Sequence, residues 1–227
     1  MNLKHFARLF HLQYLPQPRE LPPQPYFPHG IGYGAHRVPH SELPPMGGLP
    51  ENMGALGDFY RHIRIGKLNE NYGFLPLLGG VLVWLKYEEL ADAPEGWSIG
   101  VDSRTHELAP TKGWQPSWVI FARLIDESVL FADTKESDCP VFWRPTGYGT
   151  LDKRVPVAPS LAGFMQTLAA LRELEMAYEN SGRAIFCDDD EYEFAEAWSQ
   201  DARAVVEQYL PEHVAGFCGA LEVCGEA

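Results

Sequence analysis

The sequence predicts an α+β fold: an N-terminal helix, an antiparallel or mixed sheet meander, then C-terminal helices. Three observations predict it. Met53, Leu56, Phe59, Tyr60 and Ile63 recur at helical spacing. The runs "WVIFARL", "SVLFAD" and "PVFWRP" then follow one another at meander spacing, separated by short acid-bearing gaps. From Leu161 the apolar residues return to a helical period. This order, rather than strand and helix in alternation, is that of an α+β domain and not of a parallel sheet.

Taken from the start, Leu3, Phe6, Phe10 and Tyr14 form one face of a short helix. The chain from Leu15 to Pro50 is rich in proline and punctuated by Gly30, Gly32 and Gly34, a density no central strand or long helix survives. It reads as an extended arm wrapped on the domain surface. "GGVLVWLKY" reads as a buried strand and "YEELADAPEGW" as a short helix stopped by Pro94. After "RVPVA", Ser160 is placed to cap a helix striped by Leu161, Phe164, Leu168, Leu171 and Tyr178 and ended at Ser181-Gly182. A second helix is predicted with Phe194, Trp198, Val205 and Tyr209 on one face, and a third opened by Pro211 with Val214, Phe217 and Leu221. The expected organisation is residues 1–48 as N-terminal helix and proline-rich arm, 49–180 as the α+β domain, and 181–227 as a C-terminal helical extension.

Composition narrows the function. A chain of 227 residues, 45% hydrophobic and 22% charged, is able to bury a core. Its net charge of -13 disfavours direct contact with nucleic acid or anionic membranes and favours basic partners. The four cysteines Cys139, Cys187, Cys218 and Cys224 include no C-x-x-C pair, and a chain this long has no need of disulfide staples. Together with the absence of a secretory pattern in "MNLKHFARLFHLQYL", this predicts a cytoplasmic protein.

The enzymatic motifs weigh little. "GWSIG", Gly96 to Gly100, fits the G-x-S-x-G elbow with Ser98 as nucleophile and Asp126 or Asp201 and then His213 following. An elbow needs a buried strand before the serine and a helix after it, and neither flank reads that way. "GIGYG" at Gly30 to Gly34 has neither the spacing nor the preceding strand of a phosphate-binding loop. His213, Cys218 and Cys224 are zinc-ligand types at a spacing that matches no known finger or catalytic helix. No catalytic residue, metal or cofactor is predicted.

Acids are the remaining signal. Asp126, Glu127, Asp133, Glu136 and Asp138 fall in or beside the gaps of the meander, where hairpin turns favour Asp and Ser. "CDDDEYEFAE" concentrates Asp188, Asp189, Asp190, Glu191, Glu193 and Glu196 at a predicted helix start. There one or two acids suffice for capping and the surplus is free to face a partner.

Several segments resemble the SUKH superfamily, which includes bacterial toxin-immunity proteins, the Syd protein and a yeast regulator of cell-wall synthesis. "LPENMGALGDFYRHI" is similar to that family's Leu-Pro followed by a helix, and "GFLPLLGGVLVWLKYEEL" to its glycine-led segment ending in a short acidic helix. "SWVIFARLIDESVLFADT" resembles its Trp-led strand, turn and strand; "CPVFWRP" its third strand; "VAPSLAGFMQTL" its closing helix. The resemblance covers roughly Leu49 to Tyr178. It implies a non-enzymatic domain that binds another protein, commonly a toxin domain, and blocks it. The expected partner is a basic toxin domain met by Asp126, Glu127, Asp133, Trp143, Asp188, Asp189, Asp190 and Glu191. The alternatives are an intracellular regulatory or scaffold protein of the same fold and, more remotely, a hydrolase built on Ser98.

Overall fold

The computed structural model describes residues 35–37, 42–65, 73–74, 82–101, 105–111, 113–124, 126–146, 154–187 and 190–224. The predicted helix at Leu3 to Tyr14 and most of the proline-rich stretch lie outside them. Strand β1 (Ala35–Arg37) pairs antiparallel with β2 (Ile63–Ile65), which follows helix α1 (Gly54–His62). Strands β3 (Gly73–Phe74) and β4 (Leu82–Trp84) come next, then a 3-10 turn over Tyr87–Glu89 and the small hairpin β5 (Ile99–Val101) and β6 (Leu108–Pro110). The meander is β7 (Trp118–Leu124), β8 (Val129–Asp133), β9 (Val141–Arg144) and β10 (Val155–Ala158). Helix α2 (Leu161–Ser181), the pair β11 (Phe186–Cys187) and β12 (Asp190–Phe194), helix α3 (Glu196–Tyr209) and helix α4 (Val214–Leu221) complete the order.

Six strands form one sheet in the order β10-β9-β8-β7-β4-β3, and every pairing in it is antiparallel. Of the two sheet types expected, the described strands give the antiparallel one. A bulge in β7 between Ile120 and Ala122 turns both Phe121 and Ala122 away from the Ile120 side. One face therefore carries Trp84, Phe121, Leu130 and Val141 beneath the helices. The Trp84 ring lies 5.0 Å from Phe59 of α1, the Phe121 ring 6.0 Å from Phe164 of α2, and Phe164 in turn 5.7 Å from Phe217 of α4. All of these rings are fully buried, and Trp198, Ala202 and Val206 of α3 belong to the same core.

The helix ends follow the sequence. Ser160 Oγ accepts from Gly163 N at 3.0 Å, and Gly182 closes α2 in the left-handed region at φ 69. Helix α4 lies on β10 so closely that a Cβ at Gly216 would meet Pro156 O at 2.0 Å. Only glycine fits there.

Three expectations are corrected. The acids of "CDDDEYEF" do not open a helix: residues 190–194 are strand β12, with Phe194 stacked on Phe186 at 4.9 Å, and α3 begins only at Glu196. Tyr192 and Phe194 alternate with Glu191 and Glu193 in the period of a strand, so pairing with β11 outweighs acid capping as the account of this segment. With Phe194 outside the helix, the buried stripe of α3 is Trp198, Ala202 and Val206, while Val205 and Tyr209 are half-buried. Cys218 and Cys224 form a disulfide across a sequence separation of 6, contrary to the expectation of unpaired thiols. That bond runs against the cysteine argument for a reducing compartment. Among the described residues no helix is long and apolar enough to cross a membrane.

Candidate functional site: an acidic groove on the sheet face opposite the helices

The face of the sheet opposite the helices is built by register. Val83 pairs with Arg123, Arg123 with Val129 and Val129 with Arg144, so these four project from one side across β4, β7, β8 and β9. Farther along β7, β8 and β9 the same face is aromatic. Trp118 and Phe131 stand 4.9 Å apart, Phe142 stacks on Phe131 at 5.4 Å, and Trp114 reaches Phe131 at 5.8 Å. Arg154 lies over Trp118 and Phe142 at 5.1 and 5.2 Å.

At the end nearer the β7–β8 turn, the segment after β4 folds over this face and leaves a groove of about 1030 Å³. Val83, Leu85, Leu124 and Trp97 supply its apolar lining, and Glu88, Glu89, Asp92, Glu95 and Glu127 its acids; Arg123 is the cation among them. Glu89 is engaged locally: its carboxylate accepts from Lys86 N at 2.8 Å and pairs with Lys86 Nζ at 3.4 Å, capping the 3-10 turn. Among the described residues Glu88, Asp92, Glu95 and Glu127 have no ion pair, and all four are exposed. Carboxylates in a concave, partly apolar setting reinforce one another's field, because the low-dielectric walls screen them less than open water does.

Glu127 is held there by an unusual backbone. Asp126 Oδ1 accepts from Ser128 N at 2.9 Å, which tightens the β7–β8 turn and puts Glu127 in the left-handed region at φ 65. Thr146 Oγ1 donates to Asp126 O at 3.0 Å and ties the turn to the chain after β9. Beside the groove, the Arg144 guanidinium lies 4.8 Å over the Trp97 ring. Burial pushes its pKa down, and its buried Nη1 finds no hydrogen-bond acceptor among the described residues.

The residues expected to meet a partner are only partly brought together. Asp126 and Glu127 share the turn at the groove. Asp133 is at the far end of β8, with Oδ2 accepting from Trp118 Nε1 at 3.2 Å and Oδ1 from Lys135 N at 3.1 Å, so both oxygens are occupied within the fold. Trp143 is not an open aromatic but a half-buried one on the helix-covered face. Its Nε1 donates to Ser128 Oγ at 2.9 Å, and its ring stands 3.7 Å from the Cβ position of Gly219 in α4. Asp190 and Glu191 are on β12, while Asp188 and Asp189 lie outside the described residues. The acids between β4 and β5 and the arginines of β7 and β9 were missed. Their signal was readable as "YEELADAPEG", but its meaning depends on the β4–β7 pairing that sets it beside Glu127.

The Ser98 constellation is not assembled as an elbow. Ser98 lies in a turn before strand β5, not after a strand, and its Oγ donates to Pro94 O at 3.0 Å. Asp201 accepts from Tyr178 OH at 2.7 Å and from Arg183 at 3.2 Å, and His213 is the N-cap residue of α4. With Cys218 and Cys224 joined, their pairing with His213 around zinc falls away; among the described residues no group of three or more His, Cys, Asp or Glu is placed to hold a metal. Comparison with protein-family models, with curated proteins and with solved structures found no match.

Proposed function

We propose that this chain is a non-enzymatic binding protein whose acidic groove receives a basic protein. The observation that carries the reading is the set of four carboxylates, Glu88, Asp92, Glu95 and Glu127, which have no ion pair among the described residues and surround a partly apolar cleft. A net charge of -13 adds long-range attraction for the same class of partner. Within that class, a toxin domain that must itself hold nucleic acid is the partner the SUKH resemblance implies, and binding in the groove would neutralise it by covering its basic surface. The α+β order of helix, antiparallel sheet and helices agrees with this reading without being specific to it.

The test is a capture experiment at low salt from the native host, comparing the wild type with a variant carrying Glu88→Gln, Asp92→Asn, Glu95→Gln and Glu127→Gln. Glu89 is left intact because it caps its own turn. A single stoichiometric basic protein held by the wild type and lost by the variant supports the reading, and its toxicity in cells lacking this chain would establish immunity. Equal capture by both proteins, or a partner of acidic character, would overturn the groove as the binding surface.

A further inference from the structure

Arg123 in the groove and Arg144 beside it ask for something that a purely cationic ligand does not provide. Arg123 and Arg144 flank Val129 on one sheet face, two strands apart, so their backbones are roughly 10 Å from each other. Neither has an ion pair among the described residues, in a chain where acids outnumber Lys and Arg by 31 to 18. Arg144 is fixed in orientation by stacking on Trp97, which itself lines the groove. Its Nη1 is buried, with no acceptor among the described residues.

We propose that Arg123, in the groove, and Arg144, beside it against Trp97, form a carboxylate-binding subsite, so that the ligand is a basic segment presenting one Asp or Glu side chain between its cations. The inference rests on the basic-partner reading and names what that partner carries at its centre. A guanidinium offers a planar fork that matches a carboxylate in two-point contact, and a stacked guanidinium is already oriented for it. The surrounding acids exclude the other ligand classes. A free anion would approach through Glu88, Asp92, Glu95 and Glu127 and be repelled, whereas a run of lysines would satisfy the rim and meet like charge at the arginines. Only a ligand of mixed charge, negative at the centre and positive at both sides, meets opposite charge at both places. Burial of Arg144 works in the same direction, because a partly desolvated cation gains more from a carboxylate than a hydrated one does.

Calorimetric titration of the full chain at low salt tests this with two end-blocked peptides, Lys-Lys-Gly-Glu-Gly-Lys-Lys and its Gln counterpart, and with sodium acetate. The Glu peptide is expected to bind more tightly by at least about fivefold, although its net charge is lower, because charge-assisted two-point bonds outweigh one lost unit of attraction. Acetate is expected not to bind. Arg123→Gln, a substitution at an exposed side chain, and Arg144→Gln are each expected to abolish the preference while leaving the Gln peptide's affinity equal or raised. Equal binding of the two peptides, or a preference that survives Arg123→Gln, overturns the subsite yet leaves the basic-partner reading standing. Binding of neither peptide also overturns it, and the capture experiment then decides the wider reading by itself.

Discussion

In the proposed reading, Glu127 concentrates the conflict between folding and binding in one residue. A non-glycine side chain in the left-handed region costs about 1–2 kcal/mol, and glycine would remove that cost. Glu127→Gly is therefore expected to raise stability by roughly 0.5–1 kcal/mol in denaturant titration while slowing association with the captured partner. Ser160→Ala makes the opposite contrast. It removes the Oγ that accepts from Gly163 N, which is expected to cost about 1 kcal/mol, with association unchanged because the cap lies on the helix side of the sheet. The cap was legible in the sequence because Ser160 directly precedes a helical stripe. The strain at Glu127 was not, because φ depends on a turn closed by Asp126 and anchored by Thr146 from beyond β9.

Among the elements, those with strong periodicity were readable and those carried by partners were not. Strands β7, β8 and β9 match their apolar runs, and α2 matches its stripe and both ends. Strand β10 was hidden by Pro156, which a strand tolerates only where no ladder bond is needed; β10 is the last strand of the sheet, paired on one side to β9. The C-terminal turn was hidden for another reason. The Cys218–Cys224 bond holds Val223 where its carbonyl accepts from the fully buried Trp198 Nε1 at 3.2 Å, so a disulfide and an indole jointly fix the end of α4. Closing so short a loop stabilises by about 2 kcal/mol in the chain-entropy account. Reduction is expected to lower the melting temperature by roughly 4–8 °C, and Cys218→Ser with Cys224→Ser to reproduce that value and remove the response to reductant. A melting temperature unmoved by reduction would mean that packing of Phe217 and Leu221 alone holds the helix.

For the whole molecule, the proposed function depends on a surface that no single stretch of sequence contains. Acids between β4 and β5, an acid in the β7–β8 turn and arginines of β7 and β9 meet because the sheet runs β9-β8-β7-β4, so strands distant in sequence become neighbours. Fold class was legible because it follows from the order of periodicities. The groove was not, because it follows from strand order, and Asp190 and Glu191 of the densest acidic run in the sequence stand instead on β12. The proposed function predicts that the groove, and not Asp190 and Glu191 of β12, steers a basic partner. It is tested most directly by measuring the association rate of the captured partner at low salt and above about 0.15 M, where the Debye length falls to roughly 8 Å. The wild type is to be compared with the four-acid groove variant and with a variant carrying Asp190→Asn and Glu191→Gln. Slower association for the groove variant at low salt, a difference that shrinks at high salt, and a much smaller change for the strand variant are the predicted results. Unaltered association of the groove variant at low salt, or a larger loss in the strand variant, would contradict the claim.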